Sequence, residues 1–330
     1  MSRVAGIPET VLVAPDSFKG TYTATEAAAA IGRGLQDGGR PVDLCPVADG
    51  GEGTLDALVV ALGGEVETVT VSDPLGRPVQ ARFALSGRLG IVETAAASGL
   101  GLIGPAQRDA VAAGTEGTGE LIAAAIERGA ETVYLGVGGS ATTDGGAGAI
   151  KAIERAGGLN GTRLVVLCDV RTPFEDAARV FAPQKGASPD AVRRLTARLN
   201  ALARRLPRDP RGQPMTGAAG GLSGGLWAAL GAELVPGAAF VLDAVGFDAR
   251  MRASRAVVTG EGRLDEQSLV GKVVSEVATR ARQSGVPCHA VVGSRELDSM
   301  GARILDLDRV LEASTLEEVE AAGRQLAELL

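Results

Sequence analysis

The chain has few of the residues that metal sites and disulfide frameworks require. Its 330 residues include one histidine, His289, and three cysteines that lie far apart and form no C-x-x-C pair. This pattern excludes the usual zinc-ligand spacings and indicates a reduced protein without a disulfide framework. Because His289, Trp227 and the cysteines (Cys45, Cys168 and Cys288) stand in apolar surroundings, we interpret them as core residues.

Basic runs and long apolar runs are also missing. Forty acidic residues against 33 basic ones give a net charge of -7, and no basic run could follow a phosphate backbone, so we expect no nucleic-acid partner. The apolar stretches are interrupted well before membrane-spanning length, and no signal-peptide pattern opens the sequence. We therefore expect a cytoplasmic protein with no membrane partner. The length of the chain favours either one large domain or two domains, and the formation of a homodimer stays an open possibility.

Lysine is scarce, since nearly all basic residues are arginine and lysine occurs only at Lys19, Lys151, Lys185 and Lys272. Three of the four adjoin a glycine, and Lys151 is interpreted as a surface residue. A compact ammonium suits a phosphate or carboxylate as a point charge, which makes Lys19 and Lys185 candidate anion ligands. The Gly271-Lys272 pair is followed by Val273 and lacks the first glycine of G-x-x-x-x-G-K-[ST], so a Walker-type ATPase is excluded.

Strand and helix signals alternate along most of the chain. A β-rich run at 11–14 is followed by a glycine-containing loop and by Thr23 with Glu26, a capping box that opens an alanine-rich helix. Between 66 and 92 the apolar period shifts towards two, with turn signals, which predicts an antiparallel meander. Elsewhere the strand, loop and helix order predicts parallel βα units.

These signals predict an α/β fold, a doubly wound and mostly parallel sheet domain with an inserted second α+β domain. We assign 1–65, 105–150 and 250–330 to the doubly wound domain and 66–104 with 151–249 to the inserted domain, and we expect a cleft between them. Ligands of such sheets bind outside the carboxyl ends of the strands.

Four predicted strands are each followed by a loop that combines glycine with an acidic residue, at 15–20, 48–53, 138–146 and 259–265. Glycine lets backbone N–H groups approach phosphate oxygens, and a helix start favours anions. Carboxylates hold Mg²⁺ or take a proton from an attacking hydroxyl, and lysine neutralises phosphate charge. Together these residue types fit phosphoryl transfer.

Other interpretations of single loops stay open. Asp16 and Asp49 would equally cap a helix or shape a turn, and Asp169 after the strand ending at Cys168 would be either a metal or substrate ligand or a cap. The spacing Gly136-x-Gly138-x-x-Ala141 fits a relaxed dinucleotide fingerprint, but the residues that follow are loop-like rather than an immediate helix. NAD binding is therefore the less favoured alternative.

The sequence resembles the bacterial glycerate kinase family along almost its whole length. The matching strings occur in the same order, at 14–20, 46–54, 73–79, 93–100, 117–122, 138–146, 168–170, 183–187, 217–221 and 259–272. The resemblance implies a flavodoxin-like domain and a second α/β domain enclosing a cleft. It also implies a kinase that uses ATP and Mg²⁺ to phosphorylate a hydroxyl of D-glycerate, giving 2-phosphoglycerate.

The matching positions imply roles for individual residues. The expected catalytic residues are Asp16, Lys19, Asp49, Asp169 and Lys185. Expected substrate or nucleotide ligands are Gly50, Gly51, Glu52, Arg77, Gly138, Gly139, Ser140, Asp144, Gly145, Glu261, Arg263, Asp265 and Lys272. The expected candidates for Mg²⁺ ligands are Asp49, Asp144, Asp169 and Glu261. Either Asp49 or Asp169 would orient or deprotonate the attacking hydroxyl, and Lys19, Arg77 or Arg263 would clamp the carboxylate of the substrate.

Two positions depart from the family pattern. Thr143 and Thr172 stand where the family usually has asparagine, so two polar amides are lost. These departures leave open two alternatives to glycerate kinase activity: a kinase for another small hydroxy acid, and a non-catalytic nucleotide-binding or ligand-binding relative.

Overall fold

A computed structural model describes residues 9–18, 20–269 and 271–330. The chain forms two compact units. The terminal unit comprises Met1–Asp49 and Ala238–Leu330, and the inserted unit comprises Gly50–Gly237.

The strands in the described residues are β1 (Val11–Pro15), β2 (Val42–Leu44), β3 (Glu65–Ser72), β4 (Pro78–Ser86), β5 (Leu89–Glu93), β6 (Thr132–Gly136), β7 (Arg163–Leu167), β8 (Glu233–Val235), β9 (Ala256–Leu264), β10 (Cys288–Arg295) and β11 (Arg309–Glu312). The α-helices in the same residues are α1 (Ala24–Asp37), α2 (Thr54–Leu62), α3 (Thr94–Ser98), α4 (Glu116–Glu127), α5 (Ala147–Arg155), α6 (Ala177–Phe181), α7 (Pro189–Ala203), α8 (Ala218–Leu230), α9 (Gly237–Ala244), α10 (Phe247–Arg252), α11 (Val273–Ser284), α12 (Ser299–Ile304) and α13 (Leu316–Leu329). In the described part of the chain no helix has the length and apolar character needed to cross a membrane.

The terminal unit contains a parallel sheet in the order β11-β10-β9-β1-β2. Numbered within this unit alone, the strand order is 2-1-3-4-5, which is the flavodoxin-like order and confirms the predicted fold class. Every residue of β1 is buried, as expected for a central parallel strand with helices on both faces. The predicted capping box is confirmed, because Thr23 Oγ1 accepts the N–H of Glu26 while the Glu26 carboxylate accepts the N–H of Thr23.

The inserted unit contains a mixed sheet in the order β3-β4-β5-β6-β7-β8. β3, β4 and β5 are antiparallel, which confirms the predicted meander, and β5 to β8 are parallel. Its core includes Phe83, Leu121, Leu135, Ile153 and Leu222, all fully buried.

The units divide the chain at different residues from those predicted. We assigned 50–65 and 105–150 to the doubly wound domain and 238–249 to the inserted domain. The first two segments lie in the inserted unit and the third lies in the terminal unit. β6 pairs on one side with β5, where Leu89 lies opposite Thr132, and on the other side with β7. The local βα pattern is the same in both units, so hydrogen-bonded pairing between distant strands decides the assignment.

The predicted loop at 259–265 is largely strand. β9 continues to Leu264 because β10 runs beside it through the pairs Ser294–Arg263 and Arg295–Leu264. The glycines at 260 and 262 stand inside this strand, and a Cβ on Gly260 would lie 2.2 Å from the carbonyl oxygen of Val291. Glycine here permits close strand packing rather than a loop.

Candidate functional site

Two of the predicted glycine loops meet in the inserted unit. Gly138, two residues beyond β6, donates its N–H to the carbonyl oxygen of Gly50 at 3.1 Å. A Cβ on Gly138 would lie 2.4 Å from the Cα of Gly51, and one on Gly50 would lie 2.6 Å from the carbonyl oxygen of Leu167, the last residue of β7. Three backbone segments thus converge at the carboxyl edge of the parallel strands, at a separation that only glycine permits.

Lys185 lies beside this edge and is buried, with 3% of its surface exposed. It ends the short 3₁₀ helix Pro183–Lys185, and its Nζ donates to the carbonyl oxygen of Thr142 at 2.5 Å and to Ser140 Oγ at 3.1 Å. Burial lowers the pKa of Lys185 to about 7, although the negative charge of Asp144 acts in the opposite direction. The structure therefore brings together Lys185 and Ser140, two candidates 45 positions apart in the sequence.

The hydroxyl groups beside this lysine are unusual. Among the described residues, Thr142 Oγ1 and Thr143 Oγ1 are buried and find no hydrogen-bond partner. Buried hydroxyl groups normally have a partner, and exceptions call for an explanation. Thr143 is also one of the two positions that depart from the family pattern.

Asp144 is enclosed by the chain's own donors, with 1% of its surface exposed. Its Oδ2 accepts the N–H and the hydroxyl of Thr115 and the N–H of Gly148, and its Oδ1 accepts the N–H of Gly146. These bonds tie the starts of α4 and α5 to the loop after β6. This arrangement suits a residue that positions the loop, and Asp144 is less suited to the metal role we predicted for it.

Asp144→Asn is expected to lower the free energy of unfolding by about 2 kcal/mol, because an amide group would turn its own N–H towards backbone N–H donors. The measurement is urea unfolding without added magnesium. Asp190→Asn is the matched control, since Asp190 is 78% exposed and pairs with its helix neighbour Arg193. Equal stability of the two variants would contradict the positioning role.

A second carboxyl group, Glu93 at the end of β5, was missed as a site residue. It borders an open cleft of about 380 Å³ whose other walls include Glu52, Arg82 and Gly139. Its Oε1 accepts the N–H of Leu55 in the first turn of α2 at 2.9 Å. Burial raises the pKa of Glu93 to about 7, and the nearby Asp56 and Glu52 act in the same direction. The sequence signal that could have found it was its place at a strand end, in the family-like string 93–100.

Asp169 follows β7 and is half-buried. Its Oδ1 accepts the N–H of Gly237 at 2.8 Å, so this aspartate fixes the start of α9. A cap was one of the two interpretations of Asp169, and the other, a metal or substrate ligand, stays a prediction. Asp49, half-buried at the end of the terminal unit's first segment, also keeps its predicted role as a hypothesis.

In the terminal unit the first and fourth predicted loops also meet. Asp16, 3% exposed, follows β1 and donates its N–H to the carbonyl oxygen of Gly260 at 2.8 Å. Glu261, 5% exposed, is the next residue of β9. Lys272 Nζ lies 3.8 Å from Glu261 Oε2 and 3.9 Å from Asp265 Oδ1. Asp16, Glu261, Asp265 and Lys272 therefore share the carboxyl edge of adjacent parallel strands.

The remaining candidates are placed differently. Arg77 pairs with Asp73 at 2.6 Å and Arg263 with Glu296 at 3.4 Å, and both arginines are well exposed. Gly145 is interior, because a Cβ there would lie 2.6 Å from Leu202 Cδ2. Lys19 lies outside the described residues.

Magnesium fits the donors that are present. Within 9–18, 20–269 and 271–330, no group of three or more His, Cys, Asp or Glu residues is placed to hold a metal ion. Mg²⁺ that arrives with a nucleotide needs only one or two protein carboxylates, since phosphates and waters complete its octahedron. Asp16 and Glu261, one residue beyond the paired positions Pro15 and Gly260, are carboxylates of this kind.

Comparison with known proteins gives one consistent result. The model of the glycerate kinase family matches residues 11–156 and 154–330. Glycerate kinase of Halalkalibacterium halodurans is 37% identical, over 96% of this chain and 97% of that protein. Glycerate 2-kinase of Escherichia coli K12 is 37% identical, over 86% of this chain and 85% of that protein.

A solved structure agrees with these sequence relatives. The crystal structure of a protein assigned as glycerate kinase 2 from Salmonella typhimurium LT2 superposes with a TM-score of 0.81. That protein is 34% identical, and the match covers 98% of both chains. Since the family model and the relatives each cover most of the sequence, this chain belongs to the glycerate kinase family.

Proposed function

We propose that this protein transfers the γ-phosphoryl group of ATP, together with Mg²⁺, to the hydroxyl on the second carbon of D-glycerate. The products are 2-phosphoglycerate and ADP. The observation that carries the proposal is the buried Lys185, held by Ser140 and Thr142 beside the glycine contact between Gly50 and Gly138. Phosphoryl transfer needs positioning and charge stabilisation, and this edge offers both.

The glycines and Lys185 have distinct roles in this proposal. Backbone N–H groups around Gly50 and Gly139 receive anionic oxygens, because these glycines carry no side chain that would block the approach. Lys185 contributes an ammonium in a water-poor setting, where its charge acts more strongly than at the surface. Ser140 and Thr142 hold Nζ in one place, so little reorganisation is needed during the reaction.

Carboxylates supply the remaining functions. Asp16 and Glu261 of the terminal unit are proposed to hold Mg²⁺, which when bound neutralises phosphate charge. Asp49 and Asp169 stay as proposed alternatives for that role or for orienting the substrate hydroxyl. Lys272, close to Glu261 and Asp265, keeps these side chains in position or contacts a phosphate directly.

The test is ADP release with ATP and Mg²⁺ on D-glycerate, L-glycerate, glycolate and lactate. Phosphorus NMR of the product identifies the hydroxyl, because a phosphate on the second carbon couples to one proton and a phosphate on the third couples to two. We expect turnover with D-glycerate and coupling to a single proton.

Three other outcomes would overturn parts of the proposal. Coupling to two protons would move the phosphorylated position to the third carbon. Turnover with a different acid alone would keep the reaction class and reject glycerate as the substrate. Nucleotide binding by calorimetry without turnover on any acid would favour the non-catalytic relative.

A further inference from the structure

We propose that Glu93 is the catalytic base that takes the proton from the attacking hydroxyl of the substrate. This assignment rests on the proposed kinase activity and adds to it a residue that the sequence alone did not single out.

The first support is the position of Glu93. It is the last residue of β5 and pairs with Gly136, the last residue of β6, in a parallel register. Open parallel sheets bind ligands outside such strand ends. The loop that follows Gly136 carries Gly138 and Gly139, and Gly139 lines the same cleft as Glu93. The carboxyl group thus lies beside the loop proposed to receive phosphate oxygens.

The second support is the way the carboxyl group is held. Leu55 donates its N–H to Glu93 Oε1, and the backbone N–H of Gly53 also faces the carboxylate. Both donors belong to the start of α2, a nine-residue helix whose dipole favours negative charge there. A carboxylate has about four acceptor sites in its two oxygens, so two amide donors leave capacity for a substrate hydroxyl.

The third support is the electrostatic setting. The charged groups near Glu93 include Glu52 and Asp56, and Asp56 is paired with Arg82, which lines the same cleft, at 2.8 Å. Burial, Asp56 and Glu52 favour the protonated form and outweigh the opposing N–H bonds from Leu55 and Gly53, so the pKa of Glu93 is raised to about 7. A general base works best when its pKa lies near the working pH. Because Glu93 must be ionised to accept a proton, its ionisation should set the acid limb of the pH profile, the rise of kcat/KM from acid towards neutral pH.

The buried carboxyl group of Asp144 in the same unit is less suited to this step. Asp144 accepts four hydrogen bonds from the chain itself, which fill the acceptor sites of its two oxygens. In the proposed step the substrate oxygen forms a bond to the γ-phosphorus while the bond from that phosphorus to the β,γ-bridging oxygen breaks. The hydroxyl proton moves to Glu93, and the electron pair of the broken bond leaves with ADP.

The test compares Glu93→Gln with Glu65→Gln, a control that changes an exposed glutamate of β3 in the same unit. Glutamine keeps an oxygen for the N–H of Leu55 but cannot accept the proton. We expect Glu93→Gln to lower kcat about 10²-fold and to abolish the rise of kcat/KM with pH near neutrality. Nucleotide affinity should stay within about threefold of wild type, and Glu65→Gln should keep both the rate and the pH profile.

Two other outcomes would each refute one of the proposals, the role of Glu93 or the kinase activity itself. If the wild type turns over glycerate and Glu93→Gln keeps its rate, or loses rate with an unchanged pH profile, Glu93 is not the base. If the wild type shows no ATP-dependent turnover, the proposed function itself fails, and the assignment fails with it. Should Glu93→Gln unfold early in urea, Glu93→Asp takes its place, and it should lose rate while keeping the pH-dependent rise.

Discussion

Lys185→Met is expected to lower kcat/KM about 10³-fold at neutral pH, since it removes a preorganised cation from a site closed to water. Methionine is close to lysine in length and unbranched, so the buried volume stays filled. Lys151→Met is the matched control, because Lys151 is an exposed lysine on α5 and should tolerate the change. If Lys185→Met turned over substrate at the wild-type rate, Lys185 would have no role in the reaction, and the main support for the proposed function would be lost.

The pH dependence of this effect has a defined sign. The pKa of Lys185 is lowered to about 7 by burial, so its ammonium form is present below that value and is lost above it. Anion binding that needs the ammonium should weaken as the pH rises above neutrality. The alkaline fall of kcat/KM should therefore be missing from the residual activity of Lys185→Met.

Stability should respond in a different way. The folded-state pKa of Lys185 lies below its unfolded value of 10.5, so the buried ammonium destabilises the fold below about pH 7. This cost disappears as the pH rises towards the unfolded value. Relative to wild type, Lys185→Met should be most stable in acid and should lose that advantage in alkali. Urea unfolding across this range measures the difference and separates a folding defect from a catalytic one.

Gly138→Ala is expected to lower the free energy of unfolding by about 3 kcal/mol and to reduce turnover about 10²-fold. The added methyl group would lie 2.4 Å from the Cα of Gly51, and a backbone atom cannot turn aside as a side chain can. The loops at 50–53 and 138–139 would have to separate, which displaces the N–H groups proposed to receive the phosphate.

The control for this variant is Gly104→Ala. A Cβ on Gly104 would meet nothing nearer than Gln107 Oε1 at 4.0 Å, and its φ of -58° suits alanine. Urea unfolding and the ADP-release assay on both variants provide the comparison. A Gly138→Ala variant as stable and active as Gly104→Ala would show that the two loops need not touch.

Some positions could be assigned from sequence because their signal is local. Thr23 and Glu26 stand three residues apart, and the capping box they predict forms as expected. The alternating pattern between 66 and 92 predicts the meander of β3 to β5, since a half-buried antiparallel strand exposes every second residue. Lys185 stands out because lysine is rare in this chain and adjoins a glycine here.

Other positions could not be assigned this way because their environment depends on distant residues. Glu93 becomes a candidate base through burial and through the start of α2, 38 positions earlier. Asp144 resembles the other loop aspartates in sequence, yet its acceptor sites are filled by Thr115, Gly146 and Gly148. The length of β9 depends on β10, whose pairing extends the strand through residues that sequence assigns to a loop.

The sequence by itself determined the α/β class, the meander, the helix caps and the strings shared with the glycerate kinase family, because each depends on residues close together in the chain. The scarcity of lysine likewise indicated Lys185 as a candidate site residue. Only the tertiary structure decided that β5 and β6 belong to one sheet, that Lys185 bonds to Ser140, and that Glu93 lies in a cleft. Strand pairing and burial depend on contacts between segments far apart in the chain, so the local spacing of residues does not predict them.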